Sequence, residues 1–237
     1  MHWELGVGCS MLDVFYYSMR GLFITFEGNE GSGKTTQILF LAERLRELGH
    51  KVRTIREPGG TPIGEEVRHT LKHSKQNAAM TAEAELLLMN ASRAQLVREV
   101  ISPALAAGEI VISDRFYDST TAYQGYGRQL DLKMVKAVID IAVGKTRPDV
   151  TLLFNVPPET SEARLRSRQS TLPFVRDRIE EADKAFFERV TKGYEAIAAE
   201  EPERVKIINA ARSVEAVRTD VWQTIQPALI RAQNPKK

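Results

Sequence analysis

The residues with the clearest chemical potential form one run, Gly28-Asn29-Glu30-Gly31-Ser32-Gly33-Lys34-Thr35, which fits G-x-x-x-x-G-K-[ST]. Glycines let a backbone fold tightly enough for its N–H groups to surround a polyphosphate. Lys34 would reach the β- and γ-phosphates, and Thr35, followed by Thr36, would hold Mg²⁺. A helix beginning at Lys34 would add the positive end of its dipole. This is the chemistry of nucleotide binding.

Two further groups of residues extend it. Ile110-Val111-Ile112-Ser113-Asp114 is an apolar strand ending in a carboxylate. Beside a phosphate-binding loop, that carboxylate can hold Mg²⁺, often through water. Arg115 follows directly, and a cation at the catalytic edge fits an acceptor phosphate. Residues 164–178 carry Arg164, Arg166, Arg168, Arg176 and Arg178 against a single acid, Asp177. They read as a mobile lid that closes over ATP and supplies arginine to the transferring phosphoryl group. Ser170-Thr171 and Pro173 favour a loop there; the competing reading is a solvated helix with i,i+4 partners.

These residues need elements to position them. Five short β-rich runs, at 22–26, 52–56, 110–113, 150–156 and 205–208, alternate with helical patterns. The helices are expected at 34–48, 64–71, 81–101, 132–143, 160–168, 179–199 and 214–230, with a turn cluster at 58–62 and a loop between Arg115 and Asp131. The alternation implies an α/β fold with a five-stranded parallel sheet and helices on both faces. Ligands on such a sheet bind beyond the carboxyl ends of the strands. That gathers the loops 28–34, 56–62, 114–128, 164–178 and 209–212.

Composition narrows the class. The 237 residues suffice for one such domain, here 21–237, and are 43% hydrophobic and 27% charged. Residues 1–20 lack the periodicity of the rest and read as a disordered or accessory extension. A net charge of +2 gives no electrostatic argument for nucleic acid, and no apolar run approaches the ~20 residues of a membrane span. Cys9 is the single cysteine, so an intramolecular disulfide is impossible, which suits the cytoplasm. His69 and His73 have no acidic or Cys partner to complete a metal site. Neither N-K-x-D nor D-x-x-G occurs, which counts against a GTPase. A compact phosphate-binding domain with a second Arg-rich site looks like a small-molecule kinase.

Four runs sharpen this: Phe26-Glu27-Gly28 through Thr36, Arg56-Glu57-Pro58-Gly59-Gly60-Thr61, Asp114-Arg115-Phe116 with Ser119 and Ala122-Tyr123-Gln124-Gly125, and Asp177-Arg178-Ile179-Glu180. Together, from about residue 21 to the C-terminus, they resemble thymidylate kinase. The resemblance implies a P-loop nucleoside monophosphate kinase fold with a short lid. It implies transfer of phosphoryl from MgATP to dTMP, by a homodimer. It casts Glu30 near the sugar 3′-hydroxyl and phosphate of the acceptor, and Arg56 and Arg115 as clamps on that phosphate. Arg93 would donate to thymine O4, Thr120 and Gln124 would complete base recognition, and Tyr123 would crowd the 2′ position. With Gly31 and Ser32 in the loop, the catalytic arginine must come from the lid, the bacterial-type arrangement. Spacing favours Arg168, then Arg166 or Arg176. Met89 stands where the family usually has an aromatic that stacks on thymine; as a core residue of its helix it would need no ligand. A kinase for another nucleoside monophosphate, or a P-loop ATPase or switch acting through a protein partner, are the alternatives. A second apolar ridge at Leu87, Leu88, Ala91 and Gln95 would suit a dimer partner.

Overall fold

Strand β1 (Phe23–Glu27) is buried at every position, as a central strand covered on both faces requires. The computed structural model describes residues 21–74, 76–171, 178–179 and 182–233. The extension read at residues 1–20 lies outside the described residues. β1 pairs in parallel with β3 (Ile110–Asp114) on one side and β4 (Val150–Asn155) on the other. β2 (Val52–Arg56) and β5 (Val205–Asn209) complete the order β2-β3-β1-β4-β5, parallel throughout. The chain thus reverses direction across the sheet at β1, which opens a crevice at its carboxyl end.

Side chains alternate across a strand, and β1 divides accordingly. Ile24 and Phe26 join one core with Leu41 and Leu45 of α1 (Lys34–Glu47) and Val221 and Ile225 of α9 (Val214–Gln233). Phe23 joins the opposite core with Leu86 and Leu96 of α3 (Ala82–Leu96) and Ile139 of α6 (Leu132–Val143). Helix α8 (Lys184–Glu200) builds a third core over the carboxyl edge, where Phe186, Val190 and Tyr194 pack on Ala122 and Tyr123. No helix among the described residues is long and apolar enough to cross a membrane.

Several elements depart from the sequence reading. Helix α5 (Tyr117–Thr120) and a π-helical stretch, Thr121–Gly127, occupy what reads as a loop. Glycine disfavours a helix interior, but a Cβ on Gly125 would lie 2.7 Å from Leu132 and one on Gly127 2.6 Å from Phe186. Close packing against α6 and α8 overrides propensity there. Helix α2 (Pro62–Lys72) starts inside the turn cluster, because proline suits a first helical position and Thr61 Oγ1 accepts from Gly64 N. Helix α3 continues through a π turn (Val97–Ile101) into α4 (Ser102–Ala106), past its expected end. Pro103 is tolerated because the π turn has already displaced the regular ladder. Helix α7 (Pro158–Thr171) extends through much of the expected lid loop. Helix α8 begins at Lys184, not Ile179, with Asp183 as its cap.

Candidate active site

The loop after β1 turns on glycines with positive φ, 124° at Gly28 and 71° at Gly31. A Cβ on Gly28 would lie 2.4 Å from Phe154 O, and one on Gly31 2.8 Å from Ser161 O. The loop is therefore pressed between β4 and α7, and only glycine fits. Gly33 is the left-handed N-cap of α1 and no side chain caps that terminus, which leaves first-turn N–H groups to an anion. Lys34 is buried and folded back into the loop: Nζ donates to Gly28 O at 3.0 Å and Asn29 O at 2.9 Å. Burial first, and then Arg115, push its ammonium down to about 8, against Glu30, Asp114 and Glu27. Asn29 Nδ2 donates to Thr191 Oγ1 of α8, while Thr35 and Thr36 are exposed.

The β1–β3 register sets Asp114 beside Phe26, and Thr35 Oγ1 donates to Asp114 Oδ2 at 3.3 Å. This hydroxyl and carboxylate are hard oxygen donors of the kind Mg²⁺ takes alongside phosphate oxygens.

Arg115 has φ 71°, unusual for a residue with a side chain. Its NH2 donates to Glu30 Oε1 at 2.7 Å and to Tyr123 OH at 3.4 Å; its NH1 donates to Ser119 Oγ at 3.0 Å and Tyr194 OH at 3.2 Å. Behind them the fully buried Glu27 accepts from Phe116 N, Ser119 Oγ and Tyr194 OH at 2.7, 2.6 and 3.0 Å. Burial, and then Asp118, push the Glu27 carboxyl up to about 7. Glu30 goes the other way: burial opposes its ionisation, but Arg115, Lys34 and, more weakly, Lys72 hold it well below the usual carboxylate range.

From Glu30 and Arg115 a cleft continues inward, lined by Lys72, Met89, Arg93, Thr120, Tyr123, Gln124 and Phe187 among others. Arg93 is 2% exposed. Its Nε donates to Glu57 Oε2 at 2.8 Å, its NH1 to Asn90 Oδ1 and Thr120 Oγ1 at 2.9 Å, and its NH2 to Phe116 O at 3.2 Å. The guanidinium is rigid, and an added acceptor must share these hydrogens. Gln124 Nε2 donates to the buried Glu85 Oε1 at 2.7 Å. Met89 is partly buried, packs on the third core and also lines the cleft, so it has both of the settings its sequence allowed.

Other expected residues fall elsewhere. Arg56 is exposed, absent from the cleft wall and paired with Glu65 at 3.2 Å. Arg164 ties α7 to the loop by donating to Gly31 O at 3.4 Å and Ala210 O at 3.0 Å. Arg166 makes a solvated i,i+4 pair with Glu162, so the reading as a solvated helix with i,i+4 partners holds for Arg166, whereas Arg164 is helical but tied to the loop. Arg178 donates to Glu85. Arg168 belongs to the last turn of α7, but its side chain, like Arg176, lies outside the described residues. Glu57, Lys72, Glu85 and Phe187 were missed as site residues. Glu57 lies within a run singled out for its likeness; the others arrive from separate helices and carry no local signal.

Comparison with known proteins supports one family. The family model described as thymidylate kinase matches residues 26–221. The thymidylate kinase of Syntrophotalea carbinolica is 47% identical over 208 residues, covering 87% of this chain and 96% of that one. That of Cupriavidus metallidurans is 47% identical over 207 residues, covering 87% and 98%. A crystal structure of thymidylate kinase from Ehrlichia chaffeensis superposes with a TM-score of 0.70 at 34% identity, covering 87% of this chain and 99% of that chain. With its phosphate loop, its Arg115–Glu30 pair and its inner cleft on one sheet edge, this chain belongs to the thymidylate kinase family.

Proposed function

We infer that this chain transfers the γ-phosphoryl group of ATP to the 5′-phosphate of dTMP, giving ADP and dTDP for dTTP synthesis. The observation that carries the reading is the Arg115–Glu30 pair, which joins the phosphate loop at one end to the cleft holding Arg93, Thr120 and Gln124 at the other. A donor at the loop and an acceptor in the cleft would meet at Arg115. The acceptor phosphate oxygen attacks the γ-phosphorus and the bond to the bridging oxygen of ADP breaks, so the protein's task is positioning and charge neutralisation.

The contacts and the family resemblance together support the following roles. Gly28 to Thr36 receive the triphosphate, with Lys34 exchanging loop carbonyls for phosphate oxygens. Mg²⁺ bound with ATP supplies charge neutralisation, and Thr35 and Asp114 would hold it. Arg115 clamps the acceptor phosphate, with Lys72 adding positive charge beside it. Glu30 anchors Arg115 and faces the sugar 3′-hydroxyl, and Tyr123 crowds the 2′ position. Arg56 is a second clamp. Its exposed pair with Glu65 is of a kind worth only ~0–1 kcal/mol, so a phosphate dianion can displace it. Arg93 and Gln124 read the base, Thr120 holds Arg93, and Met89 contacts the ring. Arg168 supplies the transition-state charge. The exposed Leu87 and Ala91 of α3 suit a homodimer, and the single cysteine suits the cytoplasm.

A coupled assay of ADP release with dTMP, dUMP, dCMP and dAMP tests the reading. dTMP should be preferred. Loss of its methyl in dUMP should cost ~0.8 kcal/mol, about fourfold, and dCMP should be rejected far more strongly because it offers an amino group to Arg93. Dependence on another acceptor would make this a different nucleotide kinase. Acceptor-independent turnover would make it an ATPase.

A further inference from the structure

Glu85 is fully buried in the first turn of α3, and four donors converge on its carboxylate. Gln124 Nε2 reaches Oε1 at 2.7 Å; Arg128 reaches Oε1 through Nε at 3.2 Å and Oε2 through NH2 at 3.1 Å; Arg178 NH2 reaches Oε2. Facing two guanidinium groups, the carboxylate is an acceptor only. A glutamine amide has no such fixed polarity: turned by half a rotation, it exchanges donor and acceptor. Glu85 removes that freedom. It requires Nε2 on its own side, which leaves Oε1 as the remaining polar atom of a side chain that lines the cleft.

We propose that Glu85 is a specificity-positioning residue: by fixing the Gln124 amide it makes the base site accept an N–H at the Watson–Crick edge. The proposal rests on the assignment of Gln124 to the base. Thymine and uracil present N3–H to such an acceptor. Cytosine presents the N3 lone pair, which Oε1 repels. Arg93 supplies donors for the keto oxygen, so the base edge is read by one donor and one acceptor. Glu85 touches no substrate and acts through Gln124. If it served only to fasten Arg128 and Arg178, its loss would weaken all acceptors alike.

The test is kcat/KM for dTMP, dUMP and dCMP in Glu85→Gln, Arg128→Gln and Gln124→Ala. In Glu85→Gln, where the neutral partner lets the Gln124 amide turn, the preference for dTMP over dCMP should fall at least about tenfold. The ratio of dTMP to dUMP, which share N3–H, should stay within about twofold. Arg128→Gln disturbs the same carboxylate without freeing Gln124 and should keep the wild-type preference. Should Glu85→Gln fail to fold, Glu85→Asp gives the same reading, because its carboxylate withdraws by one methylene from Gln124. Equal loss for dTMP and dCMP would overturn the proposal. If Gln124→Ala relaxes the preference and the Glu85 variants do not, Glu85 has no such role although Gln124 still reads the base. An unchanged preference in Gln124→Ala would remove Gln124 from the base and overturn the proposal with it.

Discussion

Lys34 should place a descending limb near pH 8 in the pH dependence of kcat/KM for ATP. An ordinary lysine stays charged well beyond that, near 10.4. Here burial strips the ammonium of water and Arg115 adds a like charge, and the opposing carboxylates of Glu30, Asp114 and Glu27 recover only part of the shift, to about 8. The charged form is the one that binds phosphate. Activity should therefore be on its plateau below pH 8 and be lost as pH rises through it, about tenfold by one unit above. The limb belongs to the enzyme before ATP binds, so it appears in kcat/KM for ATP; at saturating ATP the phosphates favour the ammonium and move the limb up in kcat. Glu30→Gln removes one of the charges that support the ammonium, and should move the limb to lower pH even as it reduces the rate. The assay is coupled ADP release from pH 6.5 to about 9.5, with dTMP saturating and ATP varied. A flat profile across that range, or an upward shift in Glu30→Gln, would refute the electrostatic reasoning.

Three further outcomes are expected. Arg168→Ala should lower kcat and kcat/KM together with little effect on ATP binding, the signature of a transition-state contact; near-wild-type rates alongside a large loss in Arg166→Ala or Arg176→Ala would move that role. Met89→Phe should tighten dTMP binding by roughly 0.5–1.5 kcal/mol, about 2- to 10-fold by calorimetric titration, because a ring offers the base a flat face; unchanged affinity with a lower melting temperature would make Met89 a core residue only. Removing residues 1–18 should leave activity unchanged and the melting temperature within ~4 °C; a larger drop would mean that they pack on the domain.

The sheet was legible because its signals are local. β2 was read with its observed bounds, and the P-loop placed the end of β1 and the start of α1 together. Thr81 and Asp131 are residue types that favour a helix start, and their side chains accept from Ala84 N and Met134 N. What escaped depends on contacts between distant segments. The helical Thr121–Gly127 follows from glycines packed under Leu132 and Phe186, which propensity cannot show. Arg164 and Arg166 look alike in a charge count, yet one is tied to Gly31 and Ala210 and the other pairs in solvent. Arg56 and Arg115 both read as phosphate clamps, but only Arg115 has a buried carboxylate, Glu27, behind its hydroxyl partners. Glu85 joins residues 39 and 93 positions away, and no spacing rule reaches that far.

The most direct test follows the transferred phosphate itself. With γ-labelled ATP, Mg²⁺ and dTMP, the label should appear in dTDP in step with ADP formation, and dCMP in place of dTMP should give far less labelled diphosphate. Label released as inorganic phosphate whether or not dTMP is present, or transferred equally to dCMP, would contradict a site in which Arg115 meets the acceptor and Arg93 and Gln124 choose its base.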